Sequence, residues 1–256
     1  MRRLLLTFTA TALLAGTWAG AAAANHAWGN YHWARTSNPF TVPLGDNVTN
    51  TAYSNWDGAL AGASTDWTQS TVLDSPVVAG AAGKPRRCSA NDGKIEVCNA
   101  RYGPNGWLGL ASIWTSGSHI VRASAKMNDT YFDSTTYDFT AERHVMCQEV
   151  GHGYGLGHQD ESGADLNTCM DYASALDNPS PNAHDYEQLE TIYNSHLDAT
   201  STVKFAPASD KPLSVSRSDR ISSSEIVEDY GNGFRIHRYI FWALGESRGS
   251  GHDHDD

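Results

Sequence analysis

Aromatic residues and threonine recur from residue 28 to 41 in a pattern suited to a strand, which Pro39 and Pro43 close. Residues 47–66 change character: Trp56, Leu60 and Ala63 fall at helical spacings without an intervening proline. They predict an amphipathic helix running towards Thr68, with Asn50 or Thr51 able to cap it. Residues 72–79 read as a strand that Pro76 confines to an edge. Three more strands are predicted at 94–97, 107–114 and 120–127, separated by Gly, Pro, Asn and Ser. A helix then opens at Thr140, with Glu142 in its first turn, and passes through Val145, Cys147, Gln148 and His152. Another spans 185–196, with Tyr186, Leu189 and Tyr193 on one face. Strands with interleaved helices suggest an α/β or α+β sandwich. Beyond Asp198 the chain turns to Ser, Asp, Arg and Pro, with one β-like island at 234–244 and a His-Asp tail at 252–256 that reads as a solvated terminus.

The first residues modify this picture. Arg2 and Arg3 precede an apolar run, Leu4 to Leu14, followed by small residues up to Ala24, which is the composition of a secretory signal. The expectation is therefore a signal peptide at 1–24, a main domain at 25–198 and an extension at 199–256, in a secreted, extracellular chain. No other stretch approaches transmembrane length, so no membrane contact is expected once the signal is removed. A net charge of -11 argues against nucleic acid, whose phosphates call for clustered Lys and Arg. The four cysteines, Cys88, Cys98, Cys147 and Cys169, form an even set that reads as two disulfides in an exported chain, with three possible connectivities.

The chemistry concentrates in residues 147–160. Gln148 and His152 are four apart, so on a helix they project from one face, one turn apart, as two ligands of a single ion must. Glu149 sits beside them, close enough to reach a metal-bound water without being a ligand. Gly155 can adopt a left-handed conformation that ends the helix and turns the chain back, letting His158 approach the same point. His144, a further turn back, is an imperfect substitute for a ligand, because its backbone should lie roughly 12 Å along the axis from His152. Asp160 and Glu161 read either as acceptors for His158 or as a solvated acidic loop.

This segment resembles the metzincin signature HExxHxxGxxH, matched at Glu149, His152, Gly155 and His158, with Gln148 standing where that family has its first histidine. Residues 169–172, Cys-Met-Asp-Tyr, resemble the Met-turn. The resemblance implies an α+β fold: a twisted mixed sheet with an active-site helix, a Met-turn and a C-terminal helix. It implies zinc held by Gln148, His152 and His158, Glu149 as general base, Met170 as a packing base beneath the metal and Tyr172 beside it as an oxyanion donor. It also implies a disulfide from Cys147 to Cys169, tying helix to turn, which leaves Cys88 and Cys98 as a local clip. The expected function is a monomeric secreted zinc endopeptidase acting on protein or peptide substrates, which would lie extended along residues 107–114 as an edge strand. The alternative is a binding module that kept the scaffold and lost catalysis, since an amide oxygen is a weaker zinc donor than imidazole.

Overall fold

A computed structural model describes residues 25–173, 175–213 and 224–243; the expected signal segment and the His-Asp tail lie outside the described residues. The fold is α+β. Its main sheet runs in the order β5 (Val77–Ala79), β3 (Leu44–Asn47), β6 (Ile95–Ala100), β8 (His119–Asn128), β7 (Trp107–Ser116), β10 (Phe234–Trp242) and β9 (Glu225–Gly231), with β1 (His32–Trp33) pairing the start of β8. The β3, β5, β6 and β8 pairings are parallel, whereas β7, β10 and β9 are antiparallel to their neighbours, so the sheet is mixed. A small second sheet pairs β2 (Phe40–Thr41) with β4 (Leu73–Asp74).

The predicted strand at 72–79 is interrupted at Ser75 and Pro76, and its second part, β5, occupies a sheet edge. Proline cannot donate to a ladder, which explains both results. Helix α1 (Trp56–Trp67) begins later than the spacing alone suggested. Asn55 caps it, while Asn50 binds Asp57 and Thr51 accepts from the Tyr53 and Ser54 amides, building the turn that precedes the helix. A short turn of helix, α2 (Asp129–Phe132), follows β8. Helix α3 (Phe139–Gly153) is capped by Asp138 rather than Thr140, and α4 (Ala183–Tyr193) by Asn182.

Helix α3 packs on β7, β8 and α1, and from Ala141 to Gly153 it is buried at nearly every position. His144, Gln148, Glu149 and His152 are among those buried residues. Buried polar groups need partners or cost free energy. Elsewhere in the core such partners are present: Asp129 accepts from the Trp56 indole and from Asn99. The disulfides join Cys88 to Cys98 and Cys147 to Cys169, the second linking α3 to the turn at residue 170. Among the described residues no helix is long and apolar enough to cross a membrane.

Candidate metal centre

Helix α3 ends at Tyr154, and Gly155 turns the chain with φ 89°, a conformation that L side chains rarely adopt. The return brings His158 back to His152, and the two Nε2 atoms stand 3.2 Å apart. The hydrogen-bond pattern settles where the protons are. His152 Nδ1 faces the Leu156 carbonyl at 2.9 Å, and a carbonyl can only accept, so the neutral ring carries its proton on Nδ1. His158 Nδ1 faces the Glu161 carboxylate at 2.7 Å, and that bond is the main reason Glu161 lies below the usual carboxylate range. Both Nε2 atoms therefore present lone pairs to one another. Burial, with His158 adding to it, holds His152 well below the ordinary imidazole range. With both rings neutral in these tautomers, two lone pairs at this separation repel, and a cation between them, a proton or a metal ion, makes the approach favourable. Nitrogens bound at about 2.0–2.1 Å to a tetrahedral zinc would stand about 3.3 Å apart, so these residues fit the ion.

Gln148 lies one turn before His152 on α3 and is fully buried. Its Nε2 donates to the Cys169 carbonyl at 2.9 Å and the Asp171 carbonyl at 2.7 Å. Gln159 donates its backbone N–H to the Met170 carbonyl at 2.6 Å, so three consecutive carbonyls of the turn are satisfied from two sides. The Gln148 amide is thereby oriented, and its Oε1 is left buried without a hydrogen-bond partner. Among the described residues no third His, Cys, Asp or Glu gathers with His152 and His158. Met170 places its sulfur against Gly151 of α3, beneath the site.

Glu149 is buried against Gly109 of β7, where any side chain on the strand would collide with the carboxylate. Neither oxygen meets a donor at good hydrogen-bond geometry, and burial pushes its pKa well above the usual carboxylate range against the opposing pull of the nearby Ala111 backbone N–H. Tyr172 places its ring 4.8 Å from that of His158, and burial together with Glu161 and Glu149 pushes its hydroxyl up to about 12. His144 is buried beside Phe241 without a partner and pushed down to about 4, apart from the facing pair. Of the two loop carboxylates, Glu161 orients His158, whereas Asp160 accepts from the Ser162 and Ala164 amides of its own loop.

One expectation fails. Residues 107–114 do not form an edge, because β10 pairs along β7 from Phe234 opposite Ser116 to Trp242 opposite Trp107. The stretch set apart at residue 199 thus returns to the main sheet. It also covers the site: the Tyr239 ring stacks on His152 at 4.4 Å and lies 4.7 Å from His158, and Phe241 lies 6.0 Å from Tyr172. Tyr239 and Phe241 were not singled out from the sequence as cover, whereas Glu161 is one of the two acceptors for His158 that the sequence offers. The alternation of Tyr239 and Phe241 within the β-like island was the available signal, since positions two apart share a strand face.

No family model matches the chain, and no curated protein matches it. Among solved structures it is similar to myroilysin, with 14% identity and a TM-score of 0.38 over 67% of this chain and 99% of that chain. It is also similar to high choriolytic enzyme 1, a hatching enzyme zinc-protease from Oryzias latipes (medaka fish), with 12% identity and a TM-score of 0.36 over 64% of this chain and 95% of that one. Likeness at this level carries no function across.

Proposed function

We propose that the protein is a secreted, monomeric zinc-dependent endopeptidase acting on protein or peptide chains. The observation that carries this reading is the pair of Nε2 lone pairs facing one another at 3.2 Å beside an unpartnered buried carboxylate. His152, His158 and the Gln148 Oε1 would hold the ion. Zinc, when bound there, supplies a Lewis acid that polarises a carbonyl and makes water acidic near neutral pH. Leu156 and Glu161 keep both imidazoles in the tautomer that leaves Nε2 free. Glu149 would take the proton of the attacking water and pass it to the departing amine. Tyr172, beside His158, donates its hydroxyl proton towards the developing oxyanion.

In the state described, β10 lies where an extended substrate would pair with β7, and Tyr239 shields the imidazoles. This state is latent, and hydrolysis requires the β9–β10 hairpin to leave. The closed site also favours the second reading, a binding module without catalysis. Replacing Glu149 by Gln separates the two. The enzyme reading expects zinc content to be unchanged by inductively coupled plasma analysis, while hydrolysis of a peptide library falls by about a hundredfold or more. If the parent cleaves nothing with zinc supplied and Tyr239 replaced by Ala, and Glu149→Gln alters nothing, the binding-module reading stands instead.

A further inference from the structure

A second group of donors converges on residues that play no part in the site above. His32 lies in β1, His119 opens β8, and His196 and Asp198 follow α4. Single donor atoms of His32, His119 and Asp198 all lie within 4.8 Å of one another. His32 Nδ1 faces the Asn30 carbonyl at 2.9 Å, so its proton sits there and its Nε2 carries a lone pair. That lone pair faces Nε2 of His196 at 3.2 Å. The Asp198 carboxylate divides its work. Its Oδ2 accepts from the Arg35 backbone N–H at 3.1 Å and from Arg35 Nη1 at 3.3 Å, leaving Oδ1 at 3.0 Å from His119 Nε2 and 3.7 Å from His196 Nε2. Arg35 is buried and held by the Tyr193 and His196 carbonyls, so Asp198 is oriented from behind. His32 and His196 also line a surface cavity of about 400 Å³, which gives an ion a way in and water room to complete its coordination.

We propose that this cluster is a second metal site, taking a borderline divalent transition ion such as zinc, with His32, His119 and Asp198 as ligands and His196 packed beside them. His119 Nε2 stands 3.0 Å from Asp198 Oδ1, and a donor atom of His32 lies within 4.8 Å of both, near the roughly 3.3 Å expected between donors around a tetrahedral ion. Imidazole with one carboxylate is a donor set suited to zinc. Asn30 and Arg35 supply the outer hydrogen bonds that orient such ligands. Hydrogen bonding alone accounts for His119 with Asp198 and for His32 with His196 as separate pairs, but not for the approach of His32 to both His119 and Asp198. An ion here ties β1, β8 and the chain leaving α4 to one point, so it stabilises the fold and takes no part in catalysis.

The test is calorimetric titration of Zn²⁺ into the metal-freed full chain, its His119→Ala and Asp198→Asn variants, and the His152→Ala, His158→Ala double variant. His119 is partly exposed, so its replacement leaves the fold intact, which thermal unfolding verifies. His119→Ala and Asp198→Asn are expected each to remove one ion, or to weaken one binding event by at least about tenfold, while the double variant keeps an ion that it loses when His119→Ala is added. All these proteins share the same His-Asp tail, so the differences isolate the cluster. A parent whose zinc stoichiometry and affinities are unchanged by both His119→Ala and Asp198→Asn overturns the proposal. That outcome leaves the His152 site untouched, since the double variant reports on it separately.

Discussion

Gln148 stands where an imidazole would be the ordinary zinc donor, and its amide has two uses at once. Nε2 clamps the turn through the Cys169 and Asp171 carbonyls, and Oε1 is the free oxygen. A histidine at this position brings a better donor but cannot aim one nitrogen at both carbonyls while the other binds metal. Gln148→His should therefore tighten zinc and keep or raise peptidase activity, while lowering stability by about 1 kcal/mol for one lost carbonyl bond. Zinc titration and denaturant unfolding on the same preparation measure both effects. No gain in zinc affinity would remove Gln148 from the ligand set.

At the scale of elements, strand β10 and the loop pinned to α3 decide whether the site is open and whether it holds its shape. Tyr239 covers His152 and His158, so Tyr239→Ala should speed acylation of these imidazoles by diethylpyrocarbonate and raise peptide hydrolysis several-fold. Equal rates in parent and variant would show that the hairpin is not the cover. The Cys147–Cys169 disulfide closes a loop of 22 residues that contains Glu149, His152 and His158. Chain-entropy reasoning gives it about 3 kcal/mol. The Cys147→Ala, Cys169→Ala double variant should unfold at a correspondingly lower denaturant concentration, and an unchanged midpoint would contradict that figure.

The whole molecule should be sensitive to acid. His144 and His237 are buried without ring-nitrogen partners, and burial pushes both down to about 4 from an ordinary 6.5. A histidine with a depressed folded pKa contributes its full stability above pH 6.5 and loses it as the pH falls towards 4, because the unfolded chain takes up the proton first. His26, also at about 4, faces Asp185 at 3.5 Å, and Asp185 is pushed up to about 6. Asp185 works in the opposite sense, favouring the folded state as the pH falls from 6 towards its ordinary value, so that pair largely offsets itself. His144 and His237 by themselves contribute a loss on the order of a few kcal/mol between pH 6.5 and 4, which the raised carboxyls of Asp129, Glu142 and Asp171 oppose. Thermal unfolding across that range should show it, and His237→Gln should flatten the curve. His237 sits on β10 between Tyr31 and Trp28, so the loss includes the element that closes the site.

Much of the site could be read in the chain itself, because short-range spacing on a helix is geometry. The interval from Gln148 to His152, the turn at Gly155 and the return to His158 each follow from local backbone preferences, as do the strands at 107, 120 and 234. Local pattern also accounts for Pro76 breaking its strand. What depended on the tertiary structure was everything carried by partners distant in sequence. The carbonyls that orient Gln148 lie 21 and 23 residues away. The pairing of β10 with β7 spans more than a hundred residues, and only sheet topology could show that the presumed substrate edge is already filled. The His32, His119, His196 and Asp198 cluster is scattered along the sequence with no motif, since its donors meet only where α4 ends against β1 and β8.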